Sequence, residues 1–259
     1  MEIFGLIGKR LGHSFSRSYF TEKFAQRGRD AVYWNFEMPD IKGFPAVLQE
    51  FRGLKGLNVT VPYKEEVLPY LDEISEEARA IGAVNMIRIS HDTSGTPHTK
   101  GFNTDYIGFR DSLVGFITGS KEVTAETLQE VGRRLHRALI LGNGGAAKAV
   151  RYALQSLGVE VLTASRHPIT GKTIAYSDIT AELLSDTQLI VNATPLGMYP
   201  NIDAAPEIPY HLLNASHYCY DLTYNPAETL FMRHSASFGA SVMNGLEMLH
   251  RQAEAAGFL

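Results

Sequence analysis

The run Leu141-Gly142-Asn143-Gly144-Gly145-Ala146-Ala147 places small residues at a spacing that suits an anion. It fits the pattern G-x-G-x-x-G/A with Ala147 in the last place, between an apolar stretch at Ala138–Leu141 and a helical pattern at Ala146–Leu157. Gly142 permits a tight turn, Gly144 lets backbone approach a pyrophosphate, and Ala147 allows a helix to pack closely on a sheet. The helix start, through Asn143, Gly145 and Ala146, offers N–H groups and a partial positive charge to the phosphate. A glycine-rich turn alone is only a turn. The strand before it, the helix after it and a second strand at Val159–Ala164 make it a nucleotide site. That second strand runs into Ser165-Arg166-His167 with no Asp or Glu to bind a ribose 2′-OH. A guanidinium suits a 2′-phosphate, so Ser165 and Arg166 point to NADP, with Lys172 as a second cation nearby. The bland alternative is that Arg166 is a solvated loop cation.

Two segments follow later strand ends, where ligands of open α/β sheets bind. Asn192–Met198 carries Thr194, and Asp221–Pro226 carries Leu222 and Tyr224; each alone is also readable as a Pro-terminated loop. The first half holds polar clusters in apolar surroundings. Ser14 and Ser16 precede a helical pattern, where they either receive a carboxylate or merely cap the helix. Asn58-Val59-Thr60-Val61-Pro62-Tyr63-Lys64 sets Thr60 and Lys64 at a strand end, although a lone lysine there is usually a surface charge. Asn85 and Asp105 add an amide and a carboxylate. Hydride transfer to a hydroxylated ketone needs this set: neutral donors for a carboxylate, amides and carboxylates for hydroxyls, and a proton donor beside the carbonyl. Lys64 and Asp105 are the candidate acid/base pair.

The elements that must position these residues alternate. Strands are expected at Glu2–Ile7, Val32–Phe36, Gly56–Thr60 and Ala83–Ile89, with helices at Ser16–Arg27, Pro45–Phe51 and Glu65–Leu71 between them, and a turn-rich piece at His91–Pro97. After a connecting helix at Asp105–Ile117 and a long polar piece at Gly119–Arg134, further strands follow at Leu189–Ala193 and Tyr218–Leu222, then a helix at Leu246–Ala256. Such alternation implies crossovers and a mainly parallel sheet, an α/β fold. With 259 residues, 44% hydrophobic and 20% charged, the chain is an ordinary globular protein. A net charge of −4 argues against a nucleic-acid surface. No apolar run approaches the ~20 residues of a membrane span. Cys219 is the single cysteine, so no internal disulfide forms and a reducing compartment, the cytoplasm, is expected. The nine histidines show no metal-ligand spacing, and no metal is expected.

In their order along nearly the whole chain, His13–Ser16, Asn58–Lys64, Ile81–Asn85, Asn103–Asp105, Gly142–Ala147, Asn192–Met198, Tyr220–Pro226 and Asn244–Leu249 resemble the shikimate dehydrogenase family. The resemblance implies an N-terminal open α/β substrate domain, residues 1–105 with 240–259. A Rossmann-like NADP domain spans 106–239, the last helix returns to the first domain, and the active site lies in the cleft between them. It implies reversible reduction of 3-dehydroshikimate to shikimate in aromatic amino-acid (chorismate) biosynthesis. Lys64 is then the acid/base residue with Asp105 its partner, and Ser14 and Ser16 hold the substrate carboxylate. Thr60, Asn85, Tyr224 and Gln252 contact ring hydroxyls or carboxylate. The cofactor is held by Gly142–Ala147, Ser165, Arg166 and Thr194, with the backbones of Leu222 and Gly245 near the nicotinamide. The expected partner is a small molecule, without nucleic acid or membrane, on a monomer or homodimer.

The chain departs from the family's usual residues at Arg17, where Pro is usual, at Met86 for Thr, Ser165 for Asn and Asn143 for Ala. A quinate/shikimate dehydrogenase and a non-catalytic metabolite-sensing regulator are the rival readings. A folate-pathway or glutamyl-tRNA-type dehydrogenase on the same cofactor fold is disfavoured by the two serines and the Asn58–Lys64 segment.

Overall fold

The computed structural model describes residues 1–12 and 15–258. Its strands are β1 (Glu2–Gly8), β2 (Ala31–Glu37), β3 (Leu54–Val59), β4 (Glu73–Ile74), β5 (Met86–His91), β6 (Pro97–Phe102), β7 (Arg137–Leu141), β8 (Glu160–Ala164), β9 (Leu189–Asn192), β10 (Tyr218–Asp221) and β11 (Ser241–Met243). Its α-helices are α1 (Phe15–Gln26), α2 (Phe44–Glu50), α3 (Tyr63–Glu66), α4 (Glu76–Ile81), α5 (Asp105–Thr118), α6 (Ala125–Arg134), α7 (Gly145–Ser156), α8 (Ala181–Ser185), α9 (Leu230–Ser237) and α10 (Leu246–Ala255). The chain divides into two compact units, Met1–Thr104 with the segment from Ala253 onward, and Asp105–Gln252.

The first unit holds a six-stranded sheet in the order β2-β1-β3-β5-β6-β4. The β1–β2, β1–β3 and β4–β6 pairs are parallel, while β3–β5 and β5–β6 are antiparallel. The sheet is therefore mixed. The turn-rich piece expected at His91–Pro97 is the turn of the β5–β6 hairpin: the Asp92 carboxylate accepts from Ser94 N (2.8 Å) and Thr96 N (2.9 Å), and Gly95 takes φ 84°. The low apolar content of Pro97-His98-Thr99-Lys100-Gly101 conceals β6 in the sequence. Side chains alternate across the pleat. Ile7, Leu57 and Ile87 pack with Phe44 and Tyr63 on one face, and Phe4, Leu6 and Met86 pack with Phe20, Phe24, Tyr33 and Phe258 on the other.

The second unit holds a parallel sheet in the order β11-β10-β9-β7-β8. Both faces are covered, so its central strands are mostly apolar, with polar residues at their ends. Ala138, Ile140, Val191 and Tyr220 face Phe109 and Leu113 of α5, Val131 of α6 and Val150 of α7. Leu139, Leu141, Ile190 and Cys219 face Leu184 of α8 and Phe231 of α9. Helix α6 lies within the long polar piece expected at Gly119–Arg134, for which the sequence predicts no element. Its start carries a reciprocal cap, Thr127 N to Thr124 Oγ1 (3.3 Å) and Thr124 N to Thr127 Oγ1 (2.9 Å), a Thr-for-Glu version of the usual capping pattern.

The end of the chain divides differently from the expectation that 240–259 belongs with the first unit. Ser241–Met243 is an edge strand on β10. A side chain at Gly108 of α5 would come within 2.6 Å of Met248 O and 2.9 Å of Gln252 Cβ, so α10 up to Gln252 lies directly against α5. Only from Ala253 do residues join the first unit, through Ala253, Ala256 and Phe258. Phe258 stacks near Phe4 (4.9 Å) and Phe20 (5.5 Å), and its carbonyl accepts from the Arg29 guanidinium.

Two outcomes follow from this packing. A Cβ at Gly56 would sit 2.5 Å from the Phe258 ring, so Gly56→Val is expected to lower unfolding free energy by about 1–3 kcal/mol. Urea titration reads this directly, and unchanged stability would refute the close packing. Cys219 is fully buried, and burial pushes its thiol up to about 12 against a smaller pull from Ser235. The native protein should leave Ellman's reagent unreacted and release its thiol only in denaturant; rapid native labelling contradicts the buried placement.

Candidate active site

In the first unit, β1 and β3 run parallel and end at one edge, where Thr60 N donates to Ile7 O (3.0 Å). The chain then turns into α3. Buried Tyr63 pins this turn by donating its hydroxyl to Met38 O (2.6 Å). The next residue, Lys64, is half-buried, and its carbonyl accepts from Val84 N (2.7 Å). Asn85 follows, buried, with Oδ1 accepting from Thr104 N (2.6 Å) and Nδ2 donating to Thr104 Oγ1 (3.0 Å). Its own carbonyl accepts from Val59 N (2.8 Å). Thr60, Lys64 and Asn85 are thus tied to one edge by backbone bonds within one residue of each. Asp105 is buried at the first position of α5, immediately after Thr104.

Ser14 lies outside the described residues. Ser16, half-buried in α1, hydrogen-bonds the Tyr33 hydroxyl, which donates to Asn58 Oδ1 (2.7 Å). Burial holds Tyr33 far above the usual phenol range, with the Ser16 bond opposing. This phenol is therefore a neutral hydrogen-bonding link. Tyr33 and Asn58 escaped assignment from sequence; the one available signal was a tyrosine and an asparagine on otherwise apolar strands. Arg17 is exposed on α1.

In the second unit, strand order reverses between β7 and β9, so the loops after them part at the switch point where α/β sheets bind ligands. Gly142 directly follows β7 with φ 104°, and a Cβ there would meet Ala193 O at 3.0 Å and Thr194 Cγ2 at 3.1 Å. Glycine is required on both counts. Asn143 is half-buried, and Gly144, exposed, has nothing within 4 Å of its side-chain direction, leaving its backbone open to approach. Gly145 and Ala146 open α7, whose start has no side-chain cap and no acid in its first turn. Ala147 is buried in the core beneath. This geometry fits a dinucleotide pyrophosphate: open backbone, free N–H groups and the positive end of a 12-residue helix.

Ser165 follows β8, with its hydroxyl accepting from His167 N (3.3 Å), and Arg166 is exposed beside it. At the other strand ends, Thr194 Oγ1 donates to Asn192 Oδ1 (2.7 Å) and Leu222 N donates to Asn192 O (3.0 Å). A Cβ on Gly245 would lie 2.1 Å from Leu222 O, and Gly245 N donates to Thr223 O (3.0 Å), so these two backbones touch. Tyr224 is half-buried, which raises its phenol, and Gln252 Nε2 donates to Leu249 O (2.9 Å). Asn192, Asp221 and Thr229 form a buried polar cluster that went unassigned from sequence, although a polar residue closing each of two apolar strands was its visible sign. Among the described residues no cluster of His, Cys, Asp and Glu could hold a metal, and no helix is long and apolar enough to cross a membrane.

Comparison with known proteins finds relatives over the whole length of the chain. Residues 6–87 match the model of the shikimate dehydrogenase substrate binding domain. A shikimate dehydrogenase (NADP(+)) of Caldanaerobacter subterraneus subsp. tengcongensis is 35% identical over 278 residues, spanning 100% of this chain and 91% of the relative. A Thermus thermophilus shikimate 5-dehydrogenase, solved with NADP(H) and shikimate, superposes with TM-score 0.79 at 30% identity, covering 99% of this chain and 92% of that one. A Corynebacterium glutamicum quinate dehydrogenase with NAD gives TM-score 0.80 at 28% identity, over 98% of this chain and 92% of that one. With full-length relatives above 30% identity and the switch-point geometry in place, the chain belongs to the shikimate dehydrogenase family.

Proposed function

We propose that this chain is an NADP-dependent dehydrogenase that reversibly reduces 3-dehydroshikimate to shikimate on the route to aromatic amino acids. The observation that carries the reading is the gathering of the Gly142 turn, the uncapped start of α7 and the Thr194 loop at one switch point of the second sheet. Gly142, Asn143, Gly144, Gly145, Ala146 and Ala147 bind the pyrophosphate through backbone, Ser165 and Arg166 the 2′-phosphate, and Thr194, Leu222 and Gly245 border the nicotinamide. When bound, that ring supplies or accepts the hydride. Lys64 donates a proton to the ketone oxygen in reduction and takes it back in oxidation, and Asp105 is its acidic partner. Ser14 and Ser16 receive the substrate carboxylate. Thr60, Asn85, Tyr224 and Gln252 bind the ring hydroxyls or carboxylate. A reducing compartment, the cytoplasm, suits a chain whose single cysteine is a buried thiol.

The quinate-oxidising, NAD-using reading is set against Arg166, exposed where NAD enzymes usually carry an acid. Absorbance at the reduced-nicotinamide band, with 3-dehydroshikimate, shikimate and quinate each tested with both cofactors, separates the readings. The expected result is turnover of the shikimate pair with a clear preference for NADP; preference for NAD or for quinate would overturn it. Lys64→Ala is expected to lower kcat by about 10²–10⁴-fold with NADP affinity nearly intact. Wild-type turnover in that variant would remove Lys64 from the chemistry.

A further inference from the structure

Asp221 is the last residue of β10 and is fully buried. No cation pairs with it among the described residues. Its carboxylate is instead held by neutral donors from separate segments. Thr229 Oγ1 donates to Oδ2 at 2.6 Å, Asn192 Nδ2 to the same oxygen at 3.1 Å, and Thr223 N to Oδ1 at 2.9 Å. Burial pushes this carboxyl above its ordinary range, and the bonds from Thr229, Thr223 and Asn192 pull it back. A group so costly to bury without a counter-ion needs a reason to be there, and its partners supply one.

Each donor belongs to a loop that the proposed reaction uses. Asn192 closes β9, and its Oδ1 accepts from Thr194 N (3.1 Å) and Thr194 Oγ1 (2.7 Å). The Thr223 carbonyl accepts from Gly245 N (3.0 Å), and residue 222 touches Gly245 directly. Thr229 caps α9 through Met232 N (3.3 Å) and packs 3.5 Å from the side-chain direction of Gly197, which has φ 86°. The two loops are also joined to each other, Tyr199 N donating to Asn225 O (3.1 Å). The Gly142 turn and the Ser165–Arg166 segment make none of these bonds to Asp221.

We propose that Asp221 is a positioning residue, a buried acceptor that holds the loops after β9 and β10 and the Gly245 turn in one register and thereby sets the nicotinamide end of the cofactor site. This rests on the function proposed above. It separates two halves of one cofactor: the adenine and 2′-phosphate end should be indifferent to Asp221, and the nicotinamide end should depend on it. A merely structural role would loosen both ends alike.

The test compares wild type with Asp221→Asn, which keeps the shape and exchanges one acceptor oxygen for a donor. Steady-state rates of shikimate oxidation are measured beside the dissociation constant of adenosine 2′,5′-bisphosphate, which lacks the nicotinamide half. The expected result is a fall of about tenfold or more in kcat/KM for NADP, the scale of a lost buried hydrogen bond, with the bisphosphate constant within about twofold of wild type. Because Asp221→Asn risks misfolding, Thr229→Val and Thr229→Ser form a second pair. The valine variant should show the same split and the serine variant should restore wild-type values. Unchanged kcat/KM in a folded Asp221→Asn, equal losses at both ends, or indistinguishable valine and serine variants would each overturn the positioning role. Wild-type turnover is the control: an inactive wild type overturns the assigned reaction and the inference with it, whereas an active wild type beside an unimpaired variant overturns only the inference.

Discussion

The second unit depends on the contact of two backbones at its switch point. Gly142, directly after β7, lies so close to Ala193 after β9 that a single methyl group would meet a carbonyl oxygen at 3.0 Å. That approach lets the β7 chain turn at once into α7 and aims the helix start over the edge of the sheet. Parallel strands buried on both faces leave only their carboxyl ends for chemistry, because the faces are committed to the helices that cover them. The burial of β7, β9 and β10 on both faces therefore has a functional consequence. It leaves backbone, small residues and a few polar side chains where those strands stop.

Those polar side chains obey a common rule in both units. Buried polar atoms need partners, and here an amide at a strand end meets a hydroxyl from a following segment. Asn85 with Thr104 does this in the first unit, and Asn192 with Thr194 in the second. Asp221 extends the second cluster with a carboxylate. An apolar replacement would satisfy burial more simply, since a buried charge is weak evidence for stability. The return is geometry, because hydrogen bonds select one arrangement of loops where apolar contacts tolerate several.

The residues that depart from the family's usual pattern find structural explanations of different kinds. Met86 is buried on β5 and packs into the cluster of Phe4, Phe20 and Phe258, so its side chain serves the core. Arg17 is exposed on α1. Ser165 holds its own turn through the His167 amide, a bond that a small hydroxyl makes easily. Asn143 sits in a turn whose contribution is made by backbone.

The sequence by itself determined the α/β class, the glycine turn between strand and helix, and the order of the chemical residues. All of these are local patterns: apolar periodicity, glycine spacing and a cation where an acid is usual. It also pointed to Lys64 and Asn85 as candidates by type. What only the tertiary structure decided is nonlocal. Strand β6, in a weakly apolar segment, depends on its pairing with β5, and α6 hides behind a threonine cap. The division of the chain's end within α10 depends on Gly108, whose missing side chain admits Met248 and Gln252. The partners of Asp221 come from positions 192, 223 and 229, close in space only because β9 and β10 lie side by side. Local propensity is written along the chain, whereas the meeting of distant polar atoms depends on strand order, which no short window of residues contains.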